Sequence, residues 1–334
     1  MKESEVKELA RNGIFQRMPI RGNVEETHIS WVILTKRHAF KFKKPVRLSF
    51  LNFSTLQLRK YFCEREVALN SRFTDIYLDV VPIRIHNKKW YIGRGAGRIV
   101  DYAVQMKRMR ATKRMDNVLQ RKQVDQESIS ALAKVIASFH RNADMVKAPF
   151  RLLQARNLFN DISMIQSVVT EQLGFSYTKI INRSIRWSNN FLKLHAARIQ
   201  QRIDLGFKRD VHGDLHSGNI FFYRTPVLFD CIEFNDQFRQ IDVLYEIAFL
   251  CMDLDAWHEK LLAKVLLAEY TRNFPCFEGK EDEMIFVYFK CLRANVRAKV
   301  HAMSVEQALD QHKVNYHADE TRKYLTLMKA YLEE

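Results

Sequence analysis

The chain has 334 residues, 47% of them hydrophobic, enough for one large core or two smaller ones. Lys and Arg outnumber Asp and Glu by 54 to 38, a net charge of +16 that favours anionic partners, and the five cysteines lack the Cys-x-x-Cys spacing of a zinc ribbon, which argues for reduced thiols in the cytoplasm. No apolar stretch approaches the roughly 20 residues of a membrane span, Met1-Lys2-Glu3-Ser4-Glu5 lacks a signal-peptide core, and ten glycines and six prolines leave no room for a long flexible linker.

In chain order, the first clear elements are strands over 31–34 and 38–43 around the turn Thr35-Lys36-Arg37. The second strand puts Lys41 and Lys43 on one face, where a cation can meet a nucleotide's phosphates; a solvated basic edge that resists aggregation is the plainer alternative. Ahead of them, Glu26-Thr27-His28-Ile29-Ser30 has no Gly-x-Gly-x-x-Gly. Its amides, the Thr27 and Ser30 hydroxyls and His28 are candidate phosphate donors, or the segment is an ordinary first strand. Residues 54–70 predict a helix with Ser54 as N-cap, in which Glu64 and Glu66 are the only acids. Segments 90–92 and 98–106 are expected to pair and to lead into a connector at Gln105, Met106 and Lys107. Beyond it, Ile129, Leu132, Val135, Ile136 and Phe139 mark one buried helix face, capped by Ser128 or Asp125, with His140 as a satisfied core histidine. Residues 157–204 continue as a helical insertion.

The densest chemistry lies at 211–219, Val-His-Gly-Asp-Leu-His-Ser-Gly-Asn, followed by the strand-turn-strand Ile220 to Phe229 and then Asp230. A hairpin here brings Asn219 and Asp230 side by side, an amide oxygen and a carboxylate suited to magnesium. Asp214 would orient a hydroxyl nucleophile, so the three residues together point to ATP-dependent phosphoryl transfer. A transition-metal site at His-x-Asp-x-His is the alternative, but it leaves Asn219 and Asp230 without a role. His216 is equally a loop brace or a substrate contact. Glu233 is a candidate contact behind the metal or phosphate, and Asp236 a candidate contact for a basic acceptor. Asp242 opens a long apolar helix. On the helical run 286–300, Arg293 and Arg297 lie one turn apart with Lys299 close by, and a solvated face is preferred there over an anion contact.

The 211–219 block resembles the catalytic loop of the aminoglycoside phosphotransferase-like kinases, which share the protein-kinase fold but carry His-Gly-Asp-Leu-His-x-x-Asn in place of His-Arg-Asp. Glu26-Thr27-His28-Ile29-Ser30-Trp31, Lys41-Phe42-Lys43-Lys44-Pro45-Val46, Asp230-Cys231-Ile232-Glu233-Phe234-Asn235-Asp236 and Val296-Arg297-Ala298-Lys299 are similar to a largely uncharacterised bacterial group within that family. Members of the group often carry a second, P-loop ATPase domain. With no Gly-x-x-x-x-Gly-Lys-[Ser/Thr] here, the stand-alone version is expected.

The resemblance implies a bilobal α+β fold, with an antiparallel sheet N-lobe over 1–106 and a mainly helical C-lobe over 107–334. It favours Lys43 as the phosphate lysine, with Lys41 as rival because Ala39-Phe40-Lys41 imitates the Ala-Ile-Lys of protein kinases. It makes Glu66 the lysine's partner, places the adenine-reading hinge at Gln105, Met106 and Lys107, and gives His212 a structural place near the metal-binding Asp. It also has Asp242 brace the catalytic loop by accepting its backbone amides, the simple alternative being a first-turn Asp favoured by the helix dipole. Arg297 becomes a candidate anion contact, and the helical insertion a wall of the acceptor pocket.

The expected activity is transfer of a γ-phosphate from ATP, with GTP equally open, to a hydroxyl of a small molecule with Mg2+. The charge of +16 exceeds what a nucleotide needs. It admits an anionic acceptor, or a nucleic-acid- or polyanion-binding protein on a kinase-like scaffold without catalysis, a pseudokinase; a protein kinase is the further alternative. Oligomeric state is not legible.

Overall fold

The computed structural model describes residues 1–48, 51–308 and 310–334. The chain forms two compact units. The first combines Met1–Arg114 with Asn219–Tyr223 and Val227–Arg239; the second combines Met115–Gly218, Arg224–Pro226 and Gln240–Glu334.

The first unit begins with α1 (Glu3–Asn12) and the short strands β1 (Ile14–Phe15) and β2 (Met18–Pro19). It continues through β3 (Asn23–Glu26), β4 (Ser30–Leu34), β5 (His38–Lys43), α2 (Leu56–Asn70), β6 (Tyr77–His86), β7 (Lys89–Ile92) and β8 (Arg98–Lys107). The eight strands make one sheet in the order β2-β1-β7-β6-β8-β5-β4-β3, antiparallel except where β1 runs parallel to β7. Period-two alternation along β5 sends Phe40 and Phe42 into a core shared with Val6 and Leu9 of α1, Trp31, Ile33, Ile83 and Ile92. The opposite face carries Ala39, packed with Cys63 of α2, Tyr77, Val104 and Met106. Lys41 and Lys43 share that second face.

Three expectations are corrected here. Segments 90–92 and 98–107 are not partners, because β6 lies between β7 and β8 and pairs with both. The charges Asp79 and Arg84 and the proline at 82 break the apolar alternation that would have announced β6. The cap of α2 is Thr55, whose hydroxyl accepts the Leu58 amide at 3.2 Å, and not Ser54. Gln105, Met106 and Lys107 are still strand, paired with Phe40, Ala39 and His38 of β5, so the chain leaves the sheet only at Arg108.

The second unit is helical, as expected: α3 (Met115–Gln120), α4 (Gln126–Asn142), α5 (Leu152–Asn160), α6 (Gln166–Leu173) and α7 (Phe175–Asp204), then the short strand β9 (Lys208–Asp210). After the hairpin β10 (Ile220–Phe221) and β11 (Val227–Leu228), which belongs to the first unit, β12 (Gln240–Asp242) pairs with β9 and leads to α8 (Val243–Ala256), α9 (Lys260–Asn273), α10 (Lys280–Gln307) and α11 (Gln311–Tyr331). Asp125 caps α4 by accepting the Ser128 amide at 2.7 Å. Every residue of α8 is buried, which its almost unbroken apolar sequence requires. Among the described residues, no helix is long and apolar enough to cross a membrane.

A buried ion network joins the second unit's helices. Arg202 near the end of α7 holds Asp242 through two hydrogen bonds of 2.7 and 2.8 Å and also reaches Asp282 at 3.2 Å. Asp282 in the first turn of α10 receives two more from Arg198, at 2.8 and 2.6 Å. Burial pushes the Asp282 carboxyl up, but the Arg198 hydrogen bonds, the Glu278 amide and the charge of Arg202 outweigh it and hold the group below its ordinary range. Its stabilisation is therefore complete above about pH 4 and lost as pH falls through the lower folded value. Asp282→Asn should cost about 3–5 kcal/mol at neutral pH. In urea unfolding across a pH series, the gap to the wild type should close as the pH drops below about 4.

Candidate active site

In the first unit the site is built around Glu66, which is wholly buried on α2. Its two oxygens are divided between neighbouring lysines of β5: Lys41 donates to Oε1 and Lys43 to Oε2, each at 2.8 Å. Lys41 also reaches Asp230 Oδ1 at 2.5 Å, and Lys43 bonds Glu233. The lysines differ in access, since the Lys43 side chain is 1% exposed and that of Lys41 13%. Burial pushes Glu66 up, but Lys41 and then Lys43 outweigh it and bring its carboxyl to about 2. Glu233 is displaced the other way, upward, by burial and by the charge of Glu66 against the pull of Lys43. The difference has a plain cause: two ammonium groups face three carboxylates, so one negative charge of this cluster is unmatched.

The hairpin forms as the sequence suggests. Ile220 pairs with Leu228 and Phe221 with Val227, and the Phe229 amide donates to the Asn219 carbonyl at 3.1 Å, which sets Asn219 and Asp230 at adjoining ends of the two strands. Asp230 has φ of +64°, a left-handed conformation that Asp tolerates better than most residues. Its amide donates to the Tyr77 hydroxyl and the next amide, of Cys231, to Asn70 Oδ1, both at 3.0 Å. The Asp230 side chain is 41% exposed. An amide oxygen and an exposed carboxylate beside an unmatched negative charge fit a hard cation such as Mg2+. Among the described residues, no group of three or more His, Cys, Asp and Glu side chains is placed to hold a metal.

Two further expectations for this unit change. Asp236 does not wait for a basic acceptor, because Arg239 holds it at 2.6 Å and Arg65 of α2 bonds it as well. Thr27 spends its hydroxyl on its own turn, accepting the Ser30 amide at 3.0 Å and donating to the Ser30 carbonyl at 3.2 Å, while Ser30 is buried. The exposed donor left at that turn is His28.

In the second unit the loop at 211–218 is held from below by α8. Glu246 accepts the amides of His212, at 3.1 Å, and Gly213, at 2.5 Å, and its Oε2 also meets His140 Nε2 at 2.7 Å. Asp253, two helical turns further on the same face, accepts the Ser217 amide at 2.8 Å. Bracing of this loop by backbone amides is thus the work of Glu246 and not of Asp242, which caps α8 through the Leu244 amide at 2.8 Å and pairs with Arg202. His140 is the satisfied core histidine expected, with Tyr270 on its other nitrogen at 2.7 Å. Arg293 and Arg297 do not form a solvated face. Arg293 is buried between the rings of Tyr245 and Phe249 and donates to the Gly213 carbonyl at 2.9 Å; Arg297 packs over the Tyr324 ring and touches its hydroxyl at 3.4 Å.

Asp214 stands on this braced loop with its side chain 42% exposed. The Gly218 amide donates to His216 Nδ1 at 3.1 Å, which puts the ring proton on Nε2, 3.5 Å from Asp214 Oδ2. His216 is therefore a loop brace that faces the acid. His212 is fully buried and receives the Asp214 amide at Nδ1, 3.3 Å away. Burial pushes Asp214 up, but His216, Arg293 and His212 outweigh it and hold the carboxyl below its usual range. Such an acid stays ionised and orients a hydroxyl through a hydrogen bond more readily than it takes up a proton.

Sequence reasoning missed Glu246 and Asp253. Their signal was available: carboxylates seven residues apart inside a largely apolar helix, where each needs a partner. Glu246→Gln, which keeps the size but removes the charge and one acceptor, should destabilise the protein by about 3–5 kcal/mol in urea unfolding.

Three comparisons place this geometry among known proteins. The fold is similar to a choline/ethanolamine kinase family protein from Mesorhizobium loti, with a TM-score of 0.55 and 12% identity over 99% of this chain and 94% of that one. It is similar to a glucosamine kinase, at a TM-score of 0.51 and 13% identity over 96% and 80% of the two chains. A variant of aminoglycoside 2'-phosphotransferase-IIIa in its GDP complex gives 0.51 and 14% over 100% and 98%. In sequence, uncharacterized proteins of Mycobacterium tuberculosis and Mycobacterium bovis are each 28% identical over 293 residues, covering 85% of this chain. The chain spans about half the length, 55%, of these curated relatives. The sequence model of the phosphotransferase enzyme family matches residues 82–279, more than half of the chain and inclusive of the 211–219 loop and the 230–236 segment, and the chain therefore belongs to that family.

Proposed function

We propose that this protein transfers the γ-phosphate of ATP or GTP to a hydroxyl of a small molecule, with Mg2+, in the cytoplasm. The observation that carries the reading is the contact of Lys41 with both Glu66 and Asp230, which sets a phosphate-binding cation against the acid that would hold the metal. Lys41 is the better phosphate lysine, being the more accessible of the two and the one in contact with Asp230. Asn219 and Asp230 would hold Mg2+, which neutralises charge on the phosphates when bound. Asp214 orients the acceptor hydroxyl, whose oxygen bonds to the γ-phosphorus as the bond to the β–γ bridging oxygen breaks and the nucleoside diphosphate leaves, the hydroxyl proton being released to solvent along its hydrogen bond to Asp214. Exposed His28 and the amides of its turn are proposed phosphate donors, and the strand end at Gln105, Met106 and Lys107 with the following connector the reader of the base. Kinase activity in the names of the fold relatives, and a GDP complex in one of them, support the class. Five free, buried cysteines support a reducing compartment.

The basic run at 36–47 is partly internal. Lys41 and Lys43 are consumed by buried acids and Lys44 pairs with Glu26 at 2.5 Å, so this part of the positive charge serves the site and its fold.

Thermal-shift titration with ATP and GTP tests the reading. Magnesium-dependent stabilisation is expected, of about 2.7 kcal/mol at a hundredfold excess over Kd, and Asp230→Ala should abolish the magnesium dependence. Asp214→Asn should keep the shift yet lower transfer to an identified acceptor about 10²–10⁴-fold. No shift with either nucleotide would contradict the proposal.

A further inference from the structure

The two lysines of β5 look interchangeable in sequence, but their contacts divide the labour. Glu66 gives one oxygen to each, so the five side chains form two rungs sharing a central carboxylate: Asp230–Lys41–Glu66 and Glu66–Lys43–Glu233. The first rung ends in an exposed acid; every member of the second is buried. A buried ion pair costs desolvation that an apolar pair of the same volume would avoid, so it is better explained by the geometry it fixes than by stability.

What it fixes is the segment from Asp230 to Asp236. That segment is tied to α2 at several points: Cys231 through Asn70, Asp236 through Arg65, and Glu233 through Lys43 and Glu66. The ties matter because Asp230 sits in a left-handed conformation that the chain does not adopt without support. A bound metal–nucleotide complex would draw Lys41 toward phosphate and Asp230 toward the metal. Lys41 would then share its contact with Glu66, and among the described residues Lys43 is the other cation that holds this carboxylate.

We infer that Lys43 and Glu233 are positioning residues: a static ion pair that holds Glu66 and the metal-bearing segment in register while Lys41 and Asp230 exchange their mutual contact for phosphate and metal. The inference rests on the phosphotransferase reading and adds to it a role for a second lysine–glutamate pair. Neither residue would touch nucleotide, acceptor or metal.

The test is Mn2+ binding, followed by electron paramagnetic resonance, in the presence of a non-hydrolysable ATP analogue. The proteins compared are the wild type, Lys43→Met, Glu233→Gln and the double variant Lys43→Met/Glu233→Gln. Because the double variant removes both charges together, it leaves neither partner buried alone and keeps the test open if a single variant fails to fold. Expected is a loss of Mn2+ affinity of about 10–100-fold in the folded double variant, no worse than in the more affected single variant and larger than any loss of metal-free nucleotide affinity. A merely structural pair would lower melting temperature and leave Mn2+ affinity alone, and that result would overturn the inference. Absence of Mn2+–nucleotide binding by the wild type would overturn the functional reading itself.

Discussion

Glu66 is a carboxylate with no access to water, and the sheet unit depends on how its charge is met. Removal of such a group from solvent is tolerable only with close, well-directed partners. Two lysines at alternate positions of β5 supply them, and this requirement fixes the face β5 turns to α2 and where the hairpin-bound segment must lie. The cost is a cluster with three carboxylates for two ammonium groups, one of the carboxylates, Asp230, partly exposed.

The helical unit applies the same physics differently. Its loop at 211–218 has buried amides that regular structure does not pair, and α8 meets them with Glu246 and Asp253 from one face. A helix buried along its whole length is fixed in position by that burial, so Glu246 and Asp253 become rigid anchors. Asp214 rides on that support, kept ionised by His216, Arg293 and His212. In both units, precision at an exposed acid comes from fully buried acids behind it.

Much of this was legible in the sequence because the signals were local. The hairpin from Ile220 to Leu228, the turn between β4 and β5, and the cap at Asp125 follow from strand alternation and turn chemistry within a few residues. The charged partners of Lys41 and Lys43 were identified only in part: Glu66 came from the family resemblance, but division of its oxygens between both lysines needs tertiary geometry. Long-range satisfaction was the blind spot. Asp242, the cap of α8, and Glu246 in its first turn lie four residues apart, and only the fold shows which of them reaches the loop and which meets Arg202. Arg293 looked like a surface charge because its neighbours in sequence do not reveal the rings of Tyr245 and Phe249 that enclose it. β6 escaped because a proline and two charges interrupt its pattern.

The central claim is that Asn219 and Asp230 hold a metal on a nucleotide's phosphates. A crystal grown with Mn2+ and a non-hydrolysable ATP analogue addresses it most directly, through the anomalous signal of the metal. The account predicts a peak within about 2.5 Å of an Asp230 carboxylate oxygen and the Asn219 amide oxygen, with Lys41 turned to phosphate. A bound nucleotide whose metal contacts neither residue would contradict it.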